Sequence, residues 1–139
     1  MIPRSLPALV LVAALPLLAA PAHAKKTKEQ KLAAAIQKKV ADGRYVGYRG
    51  DGESIDDVYC ANGKYASNTG GAISTGKQWK VVHPTGNKKN FAAILKDGSY
   101  AISIALHNGQ WQIGYEYFDE PEALGDVERT DAKADCKSL

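Results

Sequence analysis

The apolar positions of this chain change period near residue 43. Before it, Leu32, Ile36 and Val40 recur every fourth residue, the spacing of one helical stripe. Thr27 precedes that run and Gln30 stands three residues on, which makes a capping box. Lys38 and Lys39 fall in the last turn, where the helix dipole favours cations. Gly43 fits a left-handed C-terminal cap. The pattern predicts a helix over 28–42, with Ala33, Ala34 and Ala35 allowing close packing.

After it, short β-prone runs alternate with turns. Strands are predicted over 44–49, 55–61, 64–67, 78–83, 90–96, 99–107 and 110–118. Asn62-Gly63, Asp97-Gly98 and Asn108-Gly109 are hairpin turns by composition, and 68–76 reads as a glycine-rich loop. Two-residue turns set register in the last three strands. Leu106 then faces Trp111, Ile104 faces Ile113, Ile102 faces Tyr115 and Tyr100 faces Tyr117. Across the preceding turn Leu95 faces Tyr100, Ala93 faces Ile102 and Phe91 faces Ile104. One side is thus apolar and must be covered. The other carries Ala92, Ile94, Ala101, Ser103, Ala105, Gln112, Gly114 and Glu116, mostly small or polar. The fold class is α+β: one N-terminal helix packed on a twisted antiparallel meander of hairpins. The tail, 119–139, reads as acidic and irregular with at most a short helix.

The first 24 residues belong to another pattern. Arg4 is their one charge, residues 6–20 are almost wholly Leu, Ala and Val, and Ala22-His23-Ala24 is a small-x-small cleavage site. These are the parts of an export signal. The apolar run is shorter than the roughly 20 residues a spanning helix needs, and Pro16 interrupts it. Cleavage after Ala24 leaves one domain, 25–139, in the periplasm or outside the cell. That space permits disulfides, so Cys60 and Cys136 are expected to form one bridge. A redox pair would need C-x-x-C, and two Cys with scattered His make no zinc signature.

The formal charge of +3 is too mild to argue for nucleic acid. Its distribution is uneven. Residues 25–44 hold seven basic and two acidic side chains, and 77–96 hold five Lys and no acid. Residues 116–135 hold eight acids. The stretch from Lys77 through Trp79, Lys80 and His83 to Lys88 and Lys89 is the most site-like surface segment, suited to an anionic polymer or an acidic protein. His107, Gln112 and Glu116 are the polar candidates near the small-residue face.

Catalytic patterns are weak. Residues 71–77 match G-x-x-x-x-G-K, but Gln78 stands where a Ser or Thr should hold magnesium, and a strand follows instead of a helix. No G-x-S-x-G elbow surrounds a Ser. Asp56 and Asp57 are adjacent on a strand and point to opposite faces, so they are not a glycosidase pair. The layout is similar in architecture, not in motifs, to small periplasmic inhibitor and immunity-type proteins. The sequence therefore points to a non-enzymatic, monomeric binding module for a protein or an anionic envelope component. No catalytic residue, metal ligand or cofactor is assigned. The alternatives are a small periplasmic hydrolase using Glu116 or His107, and a structural envelope protein.

Overall fold

The computed structural model describes residues 24–69, 71–82, 91–114 and 125–139. The elements run α1 (Lys28–Val40), β1 (Gly43–Tyr48), β2 (Ser54–Tyr59), β3 (Tyr65–Thr69), β4 (Ala72–Gly76), β5 (Trp79–Val82), β6 (Phe91–Lys96), β7 (Ser99–His107), β8 (Gln110–Gly114), β9 (Gly125–Asp131) and α2 (Lys133–Ser138). The strands form one antiparallel sheet in the order β4-β3-β2-β1-β9-β8-β7-β6-β5. Two meanders, β1–β4 and β5–β8, are thus stitched together by β9. The two edge strands, β4 and β5, are neighbours in sequence, so the sheet curls into a near-barrel whose edges meet at Lys77 and Gln78. Asp97 fastens that corner. Its carboxylate accepts from the backbone N–H of Lys77 (3.2 Å) and Gln78 (2.9 Å) and from the Tyr65 hydroxyl (3.0 Å).

The helix begins as its capping box dictates: the Thr27 hydroxyl accepts from the Gln30 N–H, and the Gln30 side chain accepts from the Thr27 N–H. Its buried face is Ala33, Ile36 and Val40, at i, i+3 and i+7, with Leu32 only half-buried. These three share one core with Tyr45, Tyr59, Trp79, Ile94, Ile102, Ile104 and Ile113. Each fully buried Ile contributes on the order of 2 kcal/mol by apolar transfer. The helix ends earlier than its pattern implies. Asp42 takes the left-handed conformation (φ 54°), and Gly43 opens β1 instead. Gly43 is required for close approach: a Cβ there would stand 2.7 Å from the Arg129 Nε and 2.8 Å from the Val40 carbonyl oxygen.

Several expectations change. The short helix allowed for in the tail is α2, and the antiparallel sheet, read as a meander of hairpins, closes toward a barrel. The segment 68–76 is not a loop. Thr69 pairs with Ala72, and residues 72–76 form β4, antiparallel to β3. The tail is not irregular either: 125–131 is β9, held by backbone pairing to β1 on one side and β8 on the other. Such a strand needs few apolar residues, and Val127 is its one buried side chain.

The predicted pairs Leu106–Trp111, Ile104–Ile113 and Leu95–Tyr100 form. Beyond Leu95 a bulge shifts the register, so Ile94 faces Ile102 and Ala92 faces Ile104. One extra residue turns a strand over. Ala92 and Ile94 therefore join the core, and Ala93, Ser103 and Ala105 on the opposite side are buried as well. The small-residue face is not an open surface at those positions. The pairs expected for Tyr115 and Tyr117 lie outside the described residues, as do residues 1–23.

Cys60 and Cys136 form the expected disulfide (Cα–Cα 5.5 Å). It pins α2 against the outer side of β2 and β3, where Val58, Ala66, Ala132 and Leu139 make a second small apolar cluster. Closing a loop with a sequence separation of 76 contributes roughly 4 kcal/mol on the chain-entropy account.

Candidate functional sites

Among the described residues the interior holds a polar network of Asp57, Tyr59, Ser67 and Lys96. Asp57 on β2 faces Ser67 on β3, and Lys96 reaches both from β6. The Asp57 carboxylate accepts from the Tyr59 hydroxyl (2.7 Å), the Ser67 hydroxyl (2.5 Å) and the Lys96 ammonium (3.2 Å). The ammonium also donates to Ser67 Oγ (2.8 Å) and lies 5.6 and 5.7 Å from the rings of Tyr59 and Tyr65. Burial, and then the Asp57 charge, hold the Tyr59 hydroxyl well above its ordinary pKa, so it stays a neutral donor. A serine between a lysine and a carboxylate suggests a nucleophile. Here Asp57 is 1% exposed, and no buried side-chain polar atom among the described residues lacks a partner. Asp57 and Lys96 line none of the three cavities described below, whereas Ser67 lines the one that Ile73 and Leu139 share. The described groups of the network satisfy one another's hydrogen bonds across β2, β3 and β6.

The residues selected from sequence fall into two groups. Trp79 is 2% exposed, and its indole N–H donates to the Cys60 carbonyl (2.7 Å). Lys77 and Lys80 stand exposed beside it. His107 is exposed at the end of β7, paired with Gln110, and Gln112 donates to Asp126 (3.3 Å). Three strand spacings, about 14 Å, separate β5 from β8, so the structure does not bring the two groups together. His83, Lys88, Lys89 and Glu116 lie outside the described residues. Among the described residues no cluster of His, Cys, Asp or Glu fits a metal, and no helix is long and apolar enough to cross a membrane.

Sequence reasoning missed the outer face of β1–β4. The registers align Val46, Asp56, Asn68 and Ile73 in one row across four strands. Val46, Tyr48 and Ile73 are 44%, 63% and 75% exposed, the large apolar side chains left open among the described residues. Arg44 clamps Asp56 through two bonds (2.7 and 2.6 Å) in the middle of this face. On one side of the row a cavity of about 400 Å³ is lined by Val58, Ala66, Ile73 and Leu139. On the other a cavity of about 380 Å³ is lined by Val46, Tyr48 and Ile55. Asp56 and Asn68 line both.

The two sheet edges are treated differently. On β5 the Val81 N–H donates to the Gln37 side chain of α1 (3.1 Å) and the Trp79 N–H to the Gly63 carbonyl (2.8 Å). That edge is capped. β4 pairs with β3 alone, its residues 73–75 are exposed, and no described residue caps its outer side. Its sequence, AISTG, carries none of the Lys or Pro that blunt an edge. The missed signals were Gly70-Gly71, a hairpin turn, and Ile73 within a β-prone run.

The chain matches no family model, and neither a curated protein nor a solved structure is similar to it.

Proposed function

We propose that this chain is an exported, non-enzymatic binding module whose partner is a protein that lays an extended segment along β4. The β4 edge, which no described residue caps, beside a capped β5 edge, carries this reading. An added strand would pair with the backbone groups on the outer edge of β4, and Ile73, the apolar end of the row that runs through Asn68 and Asp56 to Val46, would anchor it. Export rests on the leader pattern of residues 1–24 and agrees with the Cys60–Cys136 bridge. An inhibitor or immunity role fits a stapled domain of this size whose described buried polar groups all have partners.

A pull-down with oxidised protein of residues 25–139 tests it, with envelope extract and culture supernatant as prey. One protein retained at high salt by the native domain, and not by Ile73→Lys, is the expected result. That substitution places a charge on the edge and touches no core residue. Retention unaffected by Ile73→Lys but lost at moderate salt would mean that the Lys-rich segments bind polyanions instead.

A further inference from the structure

A third cavity lies in the other half of the sheet. β8 pairs with β9 at Trp111–Val127, Gln112–Asp126 and Ile113–Gly125. Past Trp111 the two strands part: β9 continues along β1, with Glu128 opposite Val46 and Arg129 opposite Tyr45, while β8 turns away through Gln110 and Gly109. The opening has a volume of about 520 Å³, within the range of small-molecule sites. Residues of a strand alternate between faces, so β9 offers Asp126 and Glu128 from the outer side and Val127 and Arg129 from the inner.

Its walls are fixed. The Trp111 ring is set edge to face with Tyr45 (centroids 5.5 Å, 82°). Arg129 is held by donation to the Tyr45 hydroxyl (3.1 Å) and the Ala41 carbonyl (2.9 Å). Asp126 is steadied by Gln112.

The lining selects a ligand class. Two carboxylates against one guanidinium oppose an anion. Charged walls disfavour a wholly apolar ligand, which would strip their water without replacing its hydrogen bonds. A neutral polyol fits. Its hydroxyls donate to Asp126 and Glu128 and accept from the Gln110 amide and the Arg129 guanidinium, and its C–H face rests on the Trp111 indole. We propose that the β8–β9 opening binds a neutral saccharide, with room for a short oligosaccharide. This site is separate from β4, four strands away in the sheet, and stands or falls independently of the protein partner.

Two-dimensional amide NMR of the 25–139 protein tests it, because the chain has two indole N–H groups that serve as probe and control. The titrants are chitotriose and maltotriose, with trigalacturonate as the anionic comparison. Either neutral trisaccharide is expected to shift the Trp111 indole and the Gln110 side-chain amide, and to leave the Trp79 indole in place. Glu128→Gln and Gln110→Ala, both at exposed positions, are expected to weaken that binding about tenfold each, the loss of one hydrogen bond to the ligand. No shift at Trp111 with either neutral sugar at millimolar concentration would overturn the proposal. So would tighter binding of trigalacturonate than of the neutral sugars, or binding that both variants leave unchanged.

Discussion

Asp57 shows how much a single position decides. Ile55, Asp57 and Tyr59 alternate onto the inner face of β2, so the carboxylate must enter the barrel with its two apolar neighbours. Lys96 makes that tolerable by its charge, and Tyr59 and Ser67 complete the carboxylate's partners. Lys96→Met leaves the carboxylate buried without its cation and is expected to cost about 3 kcal/mol in urea unfolding. Adding Asp57→Asn should recover part of that loss, because no uncompensated charge remains. A double variant as unstable as the sum of the single ones would contradict the pairing. Asp97 gives the complementary pH effect. The Gln78 N–H, the Tyr65 hydroxyl and the Lys77 N–H hold its carboxyl below the ordinary value. Its contribution is thus fully present above the unfolded-state pKa of about 3.9 and is lost as pH falls through the lower folded value. The stability difference between the native protein and Asp97→Asn should be constant near neutral pH and shrink below about pH 4. A difference that is flat down to pH 2 would exclude this role.

Among the elements, β9 is the one on which the sheet depends. It joins the two meanders, and its first residue stands where no side chain fits. A Cβ on Gly125 would lie 2.1 Å from the Tyr48 carbonyl oxygen and 2.4 Å from the Arg49 carbonyl carbon, both backbone atoms. Gly125→Ala should destabilise the domain by about 1–3 kcal/mol, seen as a lowered urea midpoint. Gly109→Ala, with open space around its Cβ position but φ 78°, is the strain-only comparison. β9 was also the element least legible beforehand. In GDVERTD only Val127 is buried, and its pairing comes from backbone groups that no periodicity reports. The start of α1 was legible because the capping box is local chemistry of Thr27 and Gln30, whereas its end was not, since Asp42 and not Gly43 takes the left-handed conformation. The hairpins at Asp97-Gly98 and Asn108-Gly109 were legible for the same reason, both Asp97 and Asn108 taking positive φ. The bulge beside Leu95 was not, since a register shift depends on what the strand packs against. The candidate site was legible in part: His107 and Gln112 lie beside the β8–β9 opening, whereas Val46, Tyr48 and Ile73 share a face only through pairings between strands.

At the scale of the molecule, one core and one disulfide hold the two halves of the sheet together. The interior is filled by α1 and the Ile and aromatic side chains and holds the Asp57–Lys96 ion pair. The disulfide fixes α2 on the outer side, beside the cavity that Ile73 and Leu139 line. Replacing both Cys60 and Cys136 by Ser is expected to cost about 2–5 kcal/mol in urea unfolding, and an unchanged midpoint would contradict that. Among the described residues one sheet edge, β5, is capped and the other, β4, is not, and the proposed function rests on that contrast. The most direct test is amide hydrogen exchange on the 25–139 protein, alone and with the partner retained by the native domain. In the free protein the exposed edge of β4 should exchange faster than Val81, whose N–H is held by Gln37. With partner bound, protection should rise at 72–76 and change little at 79–82. Protection that appears elsewhere and leaves 72–76 as it was would contradict the strand-addition account.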